Sequence, residues 1–320
     1  MTSQHLPSAA SRDVISASHR RLVPARIVRE ADVALLATFD VDIANELTFR
    51  SGLDIGVIDT GVVRGPGGVH PLLQGHGAGF EHNIDTDERT DPAGSYGHGT
   101  FVAGVILREA PSARIHMKAA LDAATGKWED GMVARAIREL GNAGVTLINL
   151  SFSGNATETE APTEIVEALE GLGPDVVVVA AAGNNPSSNP VFPAAATLKG
   201  DHPRVVAVGA VDTHESVDNP PVADFSAWGN WVHAFANGRR VFGPHKDSGW
   251  ILWSGTSFAC ATVTGRIAAA MAQNSISATK AAALVIDGDG PTVTDVDGYQ
   301  YPYIPSQASP LTINGALLPN

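Results

Sequence analysis

Four consecutive valines, Val176 to Val179, run into Ala180-Ala181-Ala182 and stop at Gly183-Asn184. A strand with one wet face alternates apolar and polar residues. An unbroken apolar run that ends in a turn signal needs apolar cover on both faces. Comparable runs recur near residues 53–58, 113–118, 144–150 and 204–209, and helical stretches fall near 98–108, 130–142, 161–171 and 257–273. Strands alternating with helices predict an α/β chain built on a doubly wound, mostly parallel sheet with helices on both faces. At 320 residues, 44% hydrophobic and 17% charged, the chain can bury one large core without being divided.

Three regions follow from the pattern. Residues 1–50 carry five arginines in the first thirty positions and read as an N-terminal arm. Residues 51–290 hold the strand–helix repeat, and residues 291–320 read as an extended, docked tail with Tyr299, Tyr301 and Tyr303 just inside it. Glycines and prolines from Gly61 to Gly79, followed by acids from Glu81 to Asp91, mark a long surface excursion.

Four polar residues stand where such a sheet places its chemistry. Asp59 closes Leu53-Asp54-Ile55-Gly56-Val57-Ile58, at the C-terminal end of a buried strand. His98 lies in Gly97-His98-Gly99-Thr100, glycine-flanked at the start of a small-residue helix, and Asn184 closes the valine strand. Ser257 sits in Trp253-Ser254-Gly255-Thr256-Ser257-Phe258-Ala259, between a glycine-hinged turn and an Ala-rich helix whose N-terminus favours negative charge. A serine hydroxyl needs a base, a group to orient that base, and donors for a developing oxyanion. His98, Asp59 and the Asn184 amide are the respective candidates. Taken singly, Ser257 is also a helix N-cap, Asp59 a turn residue, Asn184 a left-handed turn former and His98 a surface histidine, one of eleven.

Together the blocks Val57-Ile58-Asp59-Thr60-Gly61, Gly97-His98-Gly99-Thr100, Ala181-Ala182-Gly183-Asn184 and Ser254-Gly255-Thr256-Ser257-Phe258-Ala259 resemble the subtilisin-like serine proteases, in that family's order. The resemblance covers roughly residues 50–275. It implies a three-layer α/β fold, a catalytic Asp59–His98–Ser257 triad, an oxyanion donor at Asn184, and an acyl-enzyme route to peptide hydrolysis. Asn149-Leu150-Ser151-Phe152-Ser153-Gly154 resembles the strand that pairs with extended substrate, and Phe192-Pro193-Ala194-Ala195 resembles part of the specificity-pocket wall. Ser151, Phe152, Ser153, Gly154, Ala182, Gly183 and Pro193 are therefore the expected substrate-binding residues. The chain departs from the family at Ala261, where a proline is usual, at Ala236-Asn237-Gly238, where Ala-Pro-Gly is usual, and at Ser153, where a glycine leaves the cleft wider.

Rival readings are weaker. Asp59-Thr60-Gly61 also matches the aspartic-protease signature, with Asp247-Ser248-Gly249 as a second copy, but those enzymes need two such carboxylates after apolar strands to share one proton. The sedolisin-type peptidases use Glu as base and Asp at the oxyanion position, against His98 and Asn184 here. No His-Glu-x-x-His helix occurs, since His214-Glu215 runs on to Val217-Asp218.

A net charge of −13 and a pI near 5.2 count against nucleic acid or anionic membrane as partner. The expected partner is a protein or peptide. Cys260, the sole cysteine, forms no intrachain disulfide and reads as a small buried hydrophobe. No apolar leader follows Met1 and no run is long enough to span a bilayer, so the chain reads as cytoplasmic, and Asn155-Ala156-Thr157 as a chance sequon. Sixteen arginines against five lysines point to a GC-rich bacterial genome. The chemistry calls for no cofactor or metal. Structural calcium is common in the family, but Asp85, Asp87, Glu88 and Asp91 match no calcium loop, and His70, His76 and His82 lack a completing ligand.

Overall fold

The computed structural model describes residues 26–27, 53–83, 95–154, 161–196, 204–246, 249–308, 312–313 and 316–317. Most of the arm, the Asp85–Asp91 acids, the Asn155 sequon and Asp247-Ser248 lie outside them.

Seven parallel strands make one sheet: β1 (Asp54–Asp59), β2 (Gly77–Phe80), β3 (Arg114–Ala119), β4 (Leu147–Leu150), β5 (Val177–Ala181), β6 (Val205–Val211) and β7 (Ala234–Asn237). Their spatial order is β7-β6-β5-β4-β1-β3-β2. From β1 the chain runs out to the edge strand β2, steps back to β3 beside β1, and then places β4 on the opposite side of β1. The order reverses between these strands, so a crevice opens beyond their C-terminal ends, next to Asp59 and Ser151.

Alternation along each strand sorts residues onto two cores. Ile55, Val57, Val177, Val179, Val206 and Val208 face α1 (His98–Glu109), α4 (Thr256–Asn274) and α5 (Ala278–Ile286). Ile58, Ile148, Leu150, Val178, Ala180 and Ala207 face α2 (Asp130–Asn142) and α3 (Thr163–Glu170). The result is the three-layer α/β arrangement expected. The α2 helix falls on its predicted span because it carries a one-sided apolar stripe, Val133, Ala134, Ala136, Ile137 and Leu140, with polar residues opposite. In contrast, α1 and α4 are buried almost all round, and their small residues let backbones approach closely. A Cβ on Gly104 would meet the Pro244 ring at 2.1 Å.

Several elements differ from expectation. The stretch from Gly61 to Gly79 is a surface excursion only in part: His70, Leu72, Leu73 and His76 are buried, while β2, exposed at its glycines, pairs with β3 as the sheet edge. The glycines there hide a strand whose place comes from backbone pairing rather than from side-chain alternation. A hairpin of β8 (Val241–His245) and β9 (Gly249–Trp253) packs on α1 and leads into α4. The main chain of Arg26–Ile27 adds antiparallel to β9. Beyond α5 the chain turns back as the hairpin β10 (Thr292–Thr294) and β11 (Gln300–Pro302), so it is not simply extended. Tyr301 and Tyr303 pack with Phe235 and Ala182. No described helix is long and apolar enough to cross a membrane.

Candidate active site

Asp59 ends β1 fully buried, and the Thr60 N–H donates to its Oδ1 at 2.7 Å. His98 opens α1 behind Gly97, whose φ of 85° lies in the left-handed region glycine tolerates. Its Nδ1 stands 2.8 Å from Asp59 Oδ1 and 3.0 Å from Oδ2. The carboxylate can only accept, so Nδ1 carries the proton of this contact, and in the neutral ring Nε2 then keeps its lone pair. Nε2 is buried and has no hydrogen-bond partner. Trp253 stands edge-on to the imidazole at 5.5 Å and Phe258 tilts over it at 5.6 Å, forming a buried aromatic frame.

The two elements are locked together by the turn after Asp59. The Gly99 N–H donates to Thr60 Oγ1 at 3.0 Å, and a Cβ on Gly99 would lie 2.3 Å from the Gly61 carbonyl oxygen. Glycine at position 99 is therefore what lets helix α1 approach β1 closely enough for the His98–Asp59 contact.

Ser257 is the second residue of α4 and is buried. Its hydroxyl donates to the Ser151 carbonyl at 2.8 Å, so the expected hydrogen bond to His98 is not made in this state. Asn184 Oδ1 accepts from the Thr256 N–H at 2.8 Å and from the Thr256 hydroxyl at 2.9 Å. Because a backbone N–H can only donate, the oxygen end of the amide faces Thr256, and Nδ2, the donor end, lies 3.3 Å from where a Cβ on Gly255 would stand. Thr256 Oγ1 also accepts the Gly183 N–H at 3.1 Å, tying the end of β5 to the start of α4.

The expected substrate-binding residues meet around this point in different ways. Ser151 touches Ser257, and the Gly154 N–H donates to the Phe192 carbonyl at 2.7 Å, beside buried Pro193. Ser153 Oγ lies 2.9 Å from where a Cβ on Gly183 would stand, so its side chain spans toward the Ala182-Gly183 segment. The Phe152 side chain packs on Trp128 at 4.7 Å between ring centres, on the α2 side, and offers only main chain here.

Sequence reasoning assigned no role to four contributors: Asn149, Thr256, Trp253 and His245. Asn149, Thr256 and Trp253 lie in the motifs quoted above, and Asn149 also stands out as a lone amide inside an apolar strand. Their roles depend on what folds against them. Burial pushes the His245 imidazole down to about 4, so it is neutral near pH 7, and its Nδ1 lies 3.1 Å from where a Gly97 Cβ would be. Among the described residues no three His, Cys, Asp or Glu side chains converge as a metal site. His70 Nδ1 accepts from the Leu72 N–H, and His76 Nδ1 meets the Ala113 carbonyl. The aspartic-protease alternative fails on the fold, which is parallel α/β, and on the partner of Asp59, which is an imidazole.

Residues 50–293 match the Subtilase family of peptidases, and the chain belongs to it. The relatives it is similar to are serine proteinases. Among its relatives, a thermophilic serine proteinase of Bacillus sp. (strain AK1) is 34% identical over 67% of this chain and 51% of that protein. The chain thus spans about half the length of that relative. Thermitase of Thermoactinomyces vulgaris is 30% identical over 67% of this chain and 73% of its own. Among solved structures, the protease domain of PatA superposes with a TM-score of 0.60 at 25% identity, covering 77% of this chain and 90% of that one. A cold-adapted subtilisin-like serine proteinase superposes with a TM-score of 0.62 at 24% identity, covering 80% and 89%.

Proposed function

We propose that the chain hydrolyses peptide bonds through Asp59, His98 and Ser257, with the Asn184 amide as oxyanion donor. The observation that carries this reading is the buried, hydrogen-bonded His98–Asp59 pair beside the helix whose first turn holds Ser257. Asp59 keeps the proton on Nδ1 and stabilises the imidazolium that forms. The Nε2 lone pair takes the Ser257 proton as Oγ attacks the substrate carbonyl. The resting hydroxyl first leaves the Ser151 carbonyl, and an extended substrate offers a main-chain N–H to that same carbonyl. Substrate binding and release of the nucleophile are thus coupled through one oxygen. The oxyanion takes donors from Asn184 Nδ2 and the Ser257 N–H. His98 then protonates the leaving amine, and water hydrolyses the acyl-enzyme by the reverse sequence. The chemistry requires no cofactor.

Substrate lies extended along Ser151 to Gly154, as an added strand, with its side chain between that segment and Ala182-Gly183. The Ser153 hydroxyl, facing Gly183, favours small side chains there. For biological role we infer cleavage of a specific protein or leader peptide by a cytoplasmic enzyme. Support comes from two similar structures, the patellamide maturation protease PatA and the prenylagaramide maturation protease PagA, at 26% and 27% identity. Broad degradation is the competing role, and non-catalytic binding the third.

Intact-mass labelling with a fluorophosphonate tests the chemistry. One adduct per wild-type chain, lost in Ser257→Ala and His98→Ala, is expected. A folded wild type that takes no label overturns the catalytic reading in favour of a binding module. Cleavage of a whole-cell lysate at many unrelated sites would overturn the processing role.

A further inference from the structure

Asn149 is a carboxamide in the middle of β4, fully buried between Ile148 and Leu150. An amide buried there is costly unless every group on it is satisfied. Its Oδ1 accepts from Cys260 Sγ at 3.2 Å and faces Thr264 Oγ1 at 2.9 Å, whose single proton it shares with the Cys260 carbonyl, also at 2.9 Å. Its Nδ2 donates to the Ser151 hydroxyl at 2.8 Å. With that lone pair occupied, the Ser151 hydroxyl directs its own proton to the Ser257 carbonyl, also at 2.8 Å. Cys260 and Thr264 follow Ser257 by three and seven residues, on the same face of α4. The bonds therefore form a closed circuit, down α4 from Ser257, across to Asn149, along β4 to Ser151, and back to Ser257.

Ser151 thus holds Ser257 at two points. Its carbonyl receives the hydroxyl and its hydroxyl grips the main chain of the same residue. We propose that Asn149 is a positioning residue for the nucleophile, acting through the Ser151 hydroxyl to keep the first turn of α4 in register with the substrate-binding segment. Without the Nδ2 donor the Ser151 hydroxyl is held only by its own bond to the Ser257 carbonyl, the second point of attachment loosens, and Ser257 loses its alignment with His98 and with the bound carbonyl. This inference rests on Ser257 being the nucleophile.

The test is a double-mutant cycle read by the rate of fluorophosphonate labelling, with melting temperature, kcat and KM measured on the same proteins. Asn149→Ala and Ser151→Ala should each slow labelling about tenfold, the scale of one lost hydrogen bond in the transition state, and should lower kcat more than they raise KM. The double variant should be no slower than Ser151→Ala alone, because both changes cut one chain. Additive losses, or a lowered melting temperature with an unchanged rate, would reduce Asn149 to a structural role and overturn the proposal. If Asn149→Ala does not fold, Thr264→Val replaces it. It should slow labelling about threefold when Ser151 is present and not at all in Ser151→Ala, and an effect in both backgrounds overturns the proposal. Wild-type labelling that survives Ser257→Ala refutes the nucleophile and this inference together. Labelling that Ser257→Ala abolishes leaves only Asn149 in question.

Discussion

The Glu109 carboxylate accepts the main-chain N–H of Gln307 at 2.9 Å, across 198 positions of sequence, and takes the Ser306 hydroxyl as well. Glu109 is the last residue of the helix that His98 opens. A Cβ on Gly265 would lie 2.5 Å from the Glu109 Cβ, so α1, α4 and the C-terminal segment meet at this point. The clamp fixes the far end of the helix that carries the base.

Burial raises the Glu109 carboxyl above its ordinary range, opposed by its bonds to Ser306 and Gln307 and by the charges of Arg266 and Arg108. A group whose pKa is higher in the folded state contributes stability that is full below the unfolded value near 4.5 and is lost as pH rises through the folded value. Glu109→Gln keeps an acceptor for Gln307 and removes the charge. Its melting temperature relative to wild type should therefore rise between pH 4 and pH 8. Glu109→Ala, which strands both donors, should cost about 1–3 kcal/mol throughout in denaturant titrations.

Gly99→Ala should destabilise the fold by about 1–3 kcal/mol, since the new methyl meets a carbonyl oxygen and no side chain can yield. Relief by separating α1 from β1 stretches the His98–Asp59 contact. Labelling of Ser257 should fall further than stability does, and a variant that labels at the wild-type rate would show that the turn yields elsewhere.

Asn184→Ala should lower kcat by about two to three orders of magnitude with KM little changed, the worth of one oxyanion donor in serine proteases of this family. Asn184→Asp places an acceptor where a donor is needed and should be at least as slow. Steady-state kinetics on a peptide substrate reads both.

Burial pushes the Cys260 thiol up to about 12, so almost no thiolate exists near neutral pH. Native protein should resist iodoacetamide for as long as it stays folded and react once unfolded. Rapid modification of native enzyme would contradict the closed packing of α4 against β4.

Local pattern made much of this molecule legible. The run Val176-Val177-Val178-Val179 is a strand because it has no polar face, and α2 has its span because one stripe of its surface is apolar. Asp59, His98, Asn184 and Ser257 stood out because each lies in a short contiguous motif at an element's end. In contrast, Gly77 to Phe80 reads as a loop, since glycine carries no pattern, and becomes a strand only because β3 offers it a backbone edge. The hairpin that bears Trp253 and His245 was likewise silent until it packed on α1.

The amino-acid order by itself therefore determined the class of fold, the sequence of its main elements and which four residues to suspect. Those depend on spacing within a few residues, where side-chain periodicity and turn chemistry act. Tertiary structure decided that the Ser257 hydroxyl rests on Ser151 rather than on His98, that Asn149 faces Thr264 on α4, and that Glu109 holds the tail. These bonds join residues 106, 115 and 198 positions apart, and a proton chooses among acceptors only after packing has brought them within reach.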